Sequence, residues 1–327
     1  MNSLHEVNKM KMIKSFHIQM NINNVHSTGG IGVVMCVIML SDKRIALGGD
    51  HGKLSICSIN FSSKKWKVDI FKDNLHHKDI TSLCQLAPSR IVSCSDDCLI
   101  KIWALTRSNV KLIKKLTYHT SYVNHLLSLL SPYNNECFVS CSSDNTCLII
   151  NNNSYKVVSV LKDKGKVYAA LQLKQRNILV TSVYPPMLSF WSLSTYQYVT
   201  AFCGYYASFA SHIVELPNGN VALSSDTNGC PVVVIDTERF VVVKEIAFDW
   251  VDVSISSLTV LNENSFVYVY QGRVVQISCM DYCVMFSKQV EGGLSGLFGM
   301  VCVGNGKYLV VMNNSDGVVV VKVAYDK

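Results

Sequence analysis

The feature that most constrains this chain is a repeat. An apolar alternating run, a polar turn with Asp or Gly, and a second apolar run recur seven times. The copies are RIALGGDHGKLSICSI from Arg44, RIVSCSDDCLIKIWAL from Arg90, CFVSCSSDNTCLIINN from Cys137 and NILVTSVYPPMLSFWSL from Asn177. They continue as NVALSSDTNGCPVVVID from Asn220, SFVYVYQGRVVQISC from Ser265 and KYLVVMNNSDGVVVVKV from Lys307. The intervals are 46, 47, 40, 43, 45 and 42 residues. A period of this size means one supersecondary unit, copied along the chain, that cannot bury its apolar surface alone and must pack on its neighbours.

Each unit carries two more strands. An apolar segment precedes the central pair, as in VVMCVIML, ITSLCQLA, VNHLLSLL and VYAALQLK. A more polar alternating segment follows it, as in WKVDIFK, VKLIKKLTY, YKVVSVLK and FVVVKEI. These runs are rich in β-branched and aromatic residues and bounded by Asn, Asp, Gly and Ser turns, and no long stretch has helical periodicity. The expectation is therefore an all-β chain of four-stranded antiparallel units with a buried inner strand and an amphipathic outer one. Six outer strands follow the seven pairs. The alternating run MIKSFHIQMNI, residues 12–22, is expected to supply the seventh and close the ring, which removes an exposed sheet edge. On this reading residues 1–11 are a short extension and 12–327 one domain.

Composition narrows the class. Hydrophobic residues make up 49% and charged residues 16% of 327, which excludes disorder and predicts a large core. The longest apolar run, GGIGVVMCVIML, is too short to span a bilayer as a helix, and the N-terminus lacks the apolar core of a signal peptide. A cytoplasmic protein is expected, with the nucleus as the alternative. Most of the thirteen cysteines lie inside apolar alternation, where they act as small hydrophobes. Their C-x3-C pairs (Cys94/Cys98, Cys137/Cys141, Cys279/Cys283) do not have zinc-knuckle spacing, so no metal and no cofactor is expected.

The repeat resembles the WD40 β-propeller family over about residues 12–325. The second copy carries the likeness best, from the His76-His77 doublet through RIVSCSDDCLIKIW to Trp103. The resemblance implies a seven-bladed propeller and, in this blade, a buried structural network of His77 (with His76 as the alternative), Ser93, Asp97 and Trp103. Such a network gives a buried carboxylate its partners. Other copies depart from the pattern. Asp50, Asp144 and Asp316 keep the acid but have Ile56, Ile150 and Lys322 at the tryptophan position, while Trp191 follows a Tyr184-Pro185-Pro186 turn without an acid.

No catalytic site is expected. The chain has no nucleophile elbow, no phosphate-binding Gly-Lys-Ser/Thr loop and no H-E-x-x-H helix. The pair Asp96-Asp97 reads as a turn residue beside a network acid, not as two catalytic carboxylates. The resemblance implies a non-catalytic interaction scaffold or adaptor that nucleates a multiprotein complex and is itself monomeric. A propeller enzyme is the remote alternative.

Two surfaces are candidates for partners. The positions just before each inner strand, among them Asp79, Tyr122, Lys166, Phe209 and Ser254, line one channel rim, with Tyr205, Tyr206 and Trp250 in loops of the same class. Aromatic anchors in a mixed-charge rim suit a peptide or loop. The second surface is basic. Residues 64–176 hold seventeen Lys and Arg against eight acids, whereas residues 177–327 hold seven against twelve. Lys111, Lys114 and Lys115 share one outer strand there. This sector is the alternative site, for an acidic peptide, RNA or a phospholipid headgroup. Nucleic acid is the disfavoured partner, because few stacking aromatics lie nearby.

Overall fold

The computed structural model describes residues 31–60, 65–130, 136–203, 210, 212–224, 232–246, 255–270, 273–289, 297–303, 308–313 and 318–322. They form seven antiparallel sheets in chain order. The first contains β1 (Val34–Met39), β2 (Ile45–Gly49), β3 (Leu54–Asn60) and β4 (Lys65–Lys72). The second contains β5 (Ile80–Ala87), β6 (Arg90–Ser95), β7 (Ile100–Leu105) and β8 (Val110–Leu116). The third contains β9 (Val123–Ser128), β10 (Cys137–Ser142), β11 (Thr146–Asn151) and β12 (Val157–Lys162). The fourth contains β13 (Lys166–Leu173), β14 (Ile178–Tyr184), β15 (Met187–Ser192) and β16 (Tyr198–Phe202). The fifth contains β17 (Ile213–Glu215), β18 (Val221–Ser224), β19 (Val232–Asp236) and β20 (Val241–Ile246). The sixth contains β21 (Ile255–Asn262), β22 (Ser265–Tyr270), β23 (Arg273–Ser278) and β24 (Val284–Gln289), and the last β25 (Leu297–Val303), β26 (Tyr308–Asn313) and β27 (Val318–Lys322).

The innermost strands β1, β5, β9, β13, β17, β21 and β25 each touch the next, and β25 touches β1, so the ring closes. Six sheets are complete four-stranded blades, where the sequence predicts seven. The last has three strands among the described residues. The strand predicted to complete it, residues 12–22, lies outside the described residues.

Burial explains the sequence pattern. The second strands β2, β6 and β10 are buried almost throughout, because both faces of the sheet are covered by neighbouring blades. They therefore read as near-continuous apolar runs, with Ser and Cys keeping the faces thin. The outer strand β8 is buried only at its two ends. The cores lie between blades, not within them. One cluster joins Leu40, Ala46 and Ile56 of the first blade to Ile80, Ile91 and Trp103 of the second. Four more join blades two to three, three to four, four to five and five to six. Each fully buried Leu, Ile or Val contributes about 1.5–3 kcal/mol, and each blade shares that gain with the next.

Hydrogen bonds repeat from blade to blade as the cores do. Near the channel, side chains of one inner strand bond to the first carbonyls of the next. Cys36 Sγ reaches the Ile80 carbonyl at 3.4 Å, Thr81 Oγ1 reaches that of Val123, and Asn124 Nδ2 reaches that of Val167 at 2.7 Å. On the opposite face, the turn before a second strand hooks the turn before the next blade's outer strand. Arg44 donates to the Thr106 carbonyl, Arg90 to Asn152, Arg176 to Thr237 and Asn218 to Cys279, at separations of 62, 62, 61 and 61 residues. The turn before the outer strand in each of blades three to six has an aromatic residue at positive φ: Tyr155, Tyr196, Phe240 and Tyr282. That backbone costs a non-glycine residue about 1–3 kcal/mol and persists where the surroundings compensate it. Here the ring folds back onto the preceding blade. The Tyr155 hydroxyl accepts from Arg90 at 3.2 Å, that of Tyr282 accepts from Asn218 at 2.8 Å, and Phe240 packs edge-on against Phe190 at 5.2 Å.

A third repeated device is a β-bulge in every outer strand of the six complete blades. The register skips one outer-strand residue beside the third-strand position that Trp103 and Trp191 occupy. The extra residues are Asp69, Ile113, Val158, Val199, Val243 and Met285. All but Asp69 are apolar and exposed, which accounts for much of the exposed apolar surface on these strands.

Candidate functional site

The rim above blades two to four is built on three buried polar networks. In blade two His76, not His77, takes the inward position. Its Nε2 lies 2.7 Å from Ser93 Oγ and its Nδ1 lies 3.0 Å from Asp97 Oδ2, while Trp103 Nε1 donates to Ser93 Oγ at 2.8 Å. His77 is exposed, and only its backbone N–H reaches Asp97, at 3.0 Å. The loop decides between the two histidines. Leu75 N–H bonds the Gly52 carbonyl at 2.9 Å and its side chain packs on the core between blades one and two. Gly52 has φ +73°, and a Cβ there would collide with the His76 carbonyl. Between these anchors and the His77 N–H, the His76 ring has only the interior to occupy.

The protonation pattern follows from burial and partners. Burial lowers the His76 pKa, more than Asp97 raises it, so the ring is neutral. Burial pushes the Asp97 carboxyl up, but hydrogen bonds from His76 and from the N–H groups of His77 and Leu99 outweigh it and hold the acid well below its ordinary range. A single donor chain then runs from Trp103 N–H through the Ser93 hydroxyl and the His76 Nδ1–H to the carboxylate, and every member is satisfied. The Ser–His–Asp geometry resembles a hydrolytic triad. Ser93 is 1% exposed and its oxygen is already held by Trp103, so no substrate carbonyl can approach it. Asp96, the turn residue beside Asp97, is partly buried; burial and then Asp79 raise its pKa.

Blade three repeats the network without tryptophan. His119 Nδ1 lies 2.8 Å from Asp144 and Nε2 2.9 Å from Ser140, and Thr146 Oγ1 donates to Asp144 at 2.6 Å. His119 precedes β9 by four residues, as His76 precedes β5. That shared offset is the signal that could have found both. Blade four moves its acid. Asp163, in the loop before β13, accepts from Thr181 and Ser189 at 2.8 Å each, and Trp191 Nε1 donates to Thr181 at 3.1 Å. Thr181 and Ser189 face each other in the ladder, so a carboxylate from the loop reaches both.

The predicted rim residues divide. Asp79 is partly buried and accepts the His51 N–H at 3.0 Å, tying blade two to blade one. Tyr122 is 47% exposed, with the Lys78 ammonium 5.0 Å above its ring. Lys166 is exposed at the start of β13 and pairs in register with the exposed Tyr184, a rim aromatic the sequence reading missed. Gly165 lies beneath Tyr184, where a Cβ would strike the Tyr184 carbonyl. Tyr205, Tyr206, Phe209, Ser254 and Trp250 lie outside the described residues. Lys111, Lys114 and Lys115 are exposed on β8, on the side wall and away from the rim. Among the described residues, no three His, Cys, Asp or Glu side chains are grouped to hold a metal ion, and no helix is long and apolar enough to cross a membrane.

A closed ring of radial antiparallel sheets defines a β-propeller. Residues 70–104 and 110–151, the second and third blades, match the family model for the WD domain, G-beta repeat. The ring repeats a sheet of this kind around its axis, so the chain is a β-propeller whose second and third blades are similar to WD40 repeats. No curated protein matches the chain. Propellers of this family generally serve as protein-interaction scaffolds.

Proposed function

We propose that this propeller is a non-catalytic scaffold that binds a peptide or loop of a partner protein on the rim over blades two to four. The observation that carries the reading is the coincidence of anchors and rigidity. Tyr122, capped by Lys78, and Tyr184, opposite Lys166, stand half-exposed on the three blades whose rim loops are pinned by buried networks. Half-exposed aromatics on a preorganised surface bind with little ordering cost. The lysines beside them favour a segment with acidic residues, and the partner's complex forms around a monomeric ring. The test is cross-linking mass spectrometry of the native protein in cell extract. The reading expects cross-links from Lys78, Lys164 and Lys166 to one partner, reduced by Tyr122→Ala with Tyr184→Ala. Purification of the protein alone under the same conditions would sink it.

A second reading, binding of anionic ligands by the basic sector, is favoured by the exposure of Lys111, Lys114, Lys115, Lys156 and Lys162 on the outer wall. Binding by this route weakens as salt rises.

A further inference from the structure

The outer wall of blades two and three differs from the rest of the ring. Exposed apolar bulge residues recur on five blades, so they do not distinguish it. Charge does. On β8, Lys111, Lys114 and Lys115 surround the exposed Leu112 and Ile113; on β12 and at its N-terminal end, Lys156 and Lys162 flank the exposed Val158 and Val160. No acidic residue occurs between Asp97 and Glu136, or between Asp144 and Asp163. All four of those bounding acids except Glu136 are engaged in, or adjacent to, the buried networks. By contrast, β4 carries Asp69 among its lysines, 3.5 Å from Lys67, β20 carries Lys244 beside Glu245, and β16 carries no charge.

We infer that this wall is a docking strip for an extended, acidic segment of a protein partner whose apolar side chains alternate with its carboxylates. Charge complementarity selects the acids, and the exposed Ile113 and Val158 select the apolar positions. The inference refines the scaffold reading by adding a second surface with its own partner chemistry. β8 has seven residues and spans roughly 23 Å, the reach of an extended segment of similar length. The bulge determines how such a segment binds. At Ile113 it interrupts the regular alternation of N–H and carbonyl groups along the edge, so a partner cannot add as a continuous fifth strand and must bind through side chains. RNA is disfavoured because neither β8 nor β12 carries an aromatic to stack a base. A bilayer is disfavoured because the apolar side chains are half-buried among the lysines, at 43–48% exposure.

The test uses the full chain and a fluorescent carrier protein ending in twelve residues of alternating glutamate and valine. A glutamine–valine tail is the uncharged control. Binding is read by anisotropy at low and moderate salt. The expectation is binding of the acidic tail only, at least tenfold weaker binding for K111E/K114E/K115E, a smaller loss in the same direction for K111Q/K114Q/K115Q, and a several-fold loss for I113S/V158S. All these positions are exposed, so the thermal midpoint is the folding control. Equal binding of the acidic tail by wild type and K111E/K114E/K115E overturns the inference. So does tighter binding, abolished by the same variant, of phosphatidylserine vesicles or a uridine 12-mer. The rim variant Y122A/K166E separates the two surfaces. Loss of the tail in that variant, with the wall variants intact, would leave the rim reading standing and remove this one.

Discussion

Replacing Asp97 by alanine isolates the contribution of one buried network to the stability of the ring. The carboxylate accepts from His76 Nδ1 at 3.0 Å and from the backbone N–H groups of His77 and Leu99 at 3.0 and 3.1 Å. The His76 side chain is fully buried, so its N–H would be left without an acceptor, at about 1–3 kcal/mol. The two backbone donors lie in two separate loops at the rim, where water can replace the acid, and together add about 1 kcal/mol. The expected cost is about 2–4 kcal/mol. Asp144→Ala should match it, because Asp144 accepts from His119, Thr120 and Thr146. Asp50→Ala should cost less than about 1 kcal/mol, since the described side-chain partner of Asp50 is Lys53, at 3.5 Å on a partly exposed turn. Urea unfolding followed by tryptophan fluorescence reads the difference, with Trp103 as a reporter inside the affected blade. With a slope near 3 kcal/mol per molar, D97A and D144A move the midpoint by about 1 M and D50A by a few tenths. Equal shifts for all three variants would refute the assignment of the buried networks to blades two and three.

Four further outcomes follow from the same geometry. Because the folded Asp97 pKa is held below that of an unfolded aspartate, its stabilisation is full above about pH 4 and falls as pH drops through the folded value. The stability gap between wild type and D97A should therefore narrow on acidification. His125 and His212, both partly exposed on inner segments, have pKa values pushed down by burial to about 4. The unfolded chain binds more protons below pH 6.5, so stability should decline between pH 6.5 and 4, and His125→Gln should flatten that slope in pH-dependent thermal melts. Arg90→Ala should cost about 1–2 kcal/mol in the same urea assay, with little recovery by lysine, which lacks the fork whose Nη1 bonds Asn152 and Tyr155 while Nη2 reaches Asn153. Among the described cysteines, a native thiol titration should label the exposed Cys203 and Cys283 ahead of Cys84, whose burial raises its pKa to about 12.

Much of this architecture is legible from residues alone, because a β-strand's alternation and the period of the repeat are local properties. The positions of Ser93, Asp97 and Trp103 could be read from one blade's motif for the same reason. His76 could not be separated from His77, since the choice depends on where Gly52 of another blade leaves room. Asp163 was missed because its acid stands in the preceding loop, some eighteen residues from Thr181, and only the folded ladder brings them together. The bulges leave no mark in the sequence: Ile113 and Val158 look like any other apolar residue in an alternating run, and one surplus residue becomes visible only against its partner strand.

The hooks between neighbouring blades also set a timetable for synthesis. Each donor waits for a carbonyl 61 or 62 residues downstream. At about 5–20 residues per second, roughly 3–12 s of translation separate the emergence of Arg90 from that of Asn152. During that interval the nascent blade has one flank against its predecessor and the other bare, with Trp103 and Ile91 already in place and the apolar surface toward blade three uncovered. A pause in translation within such a window would prolong that exposure, and a chaperone that recognises apolar strands would find its longest opportunity there.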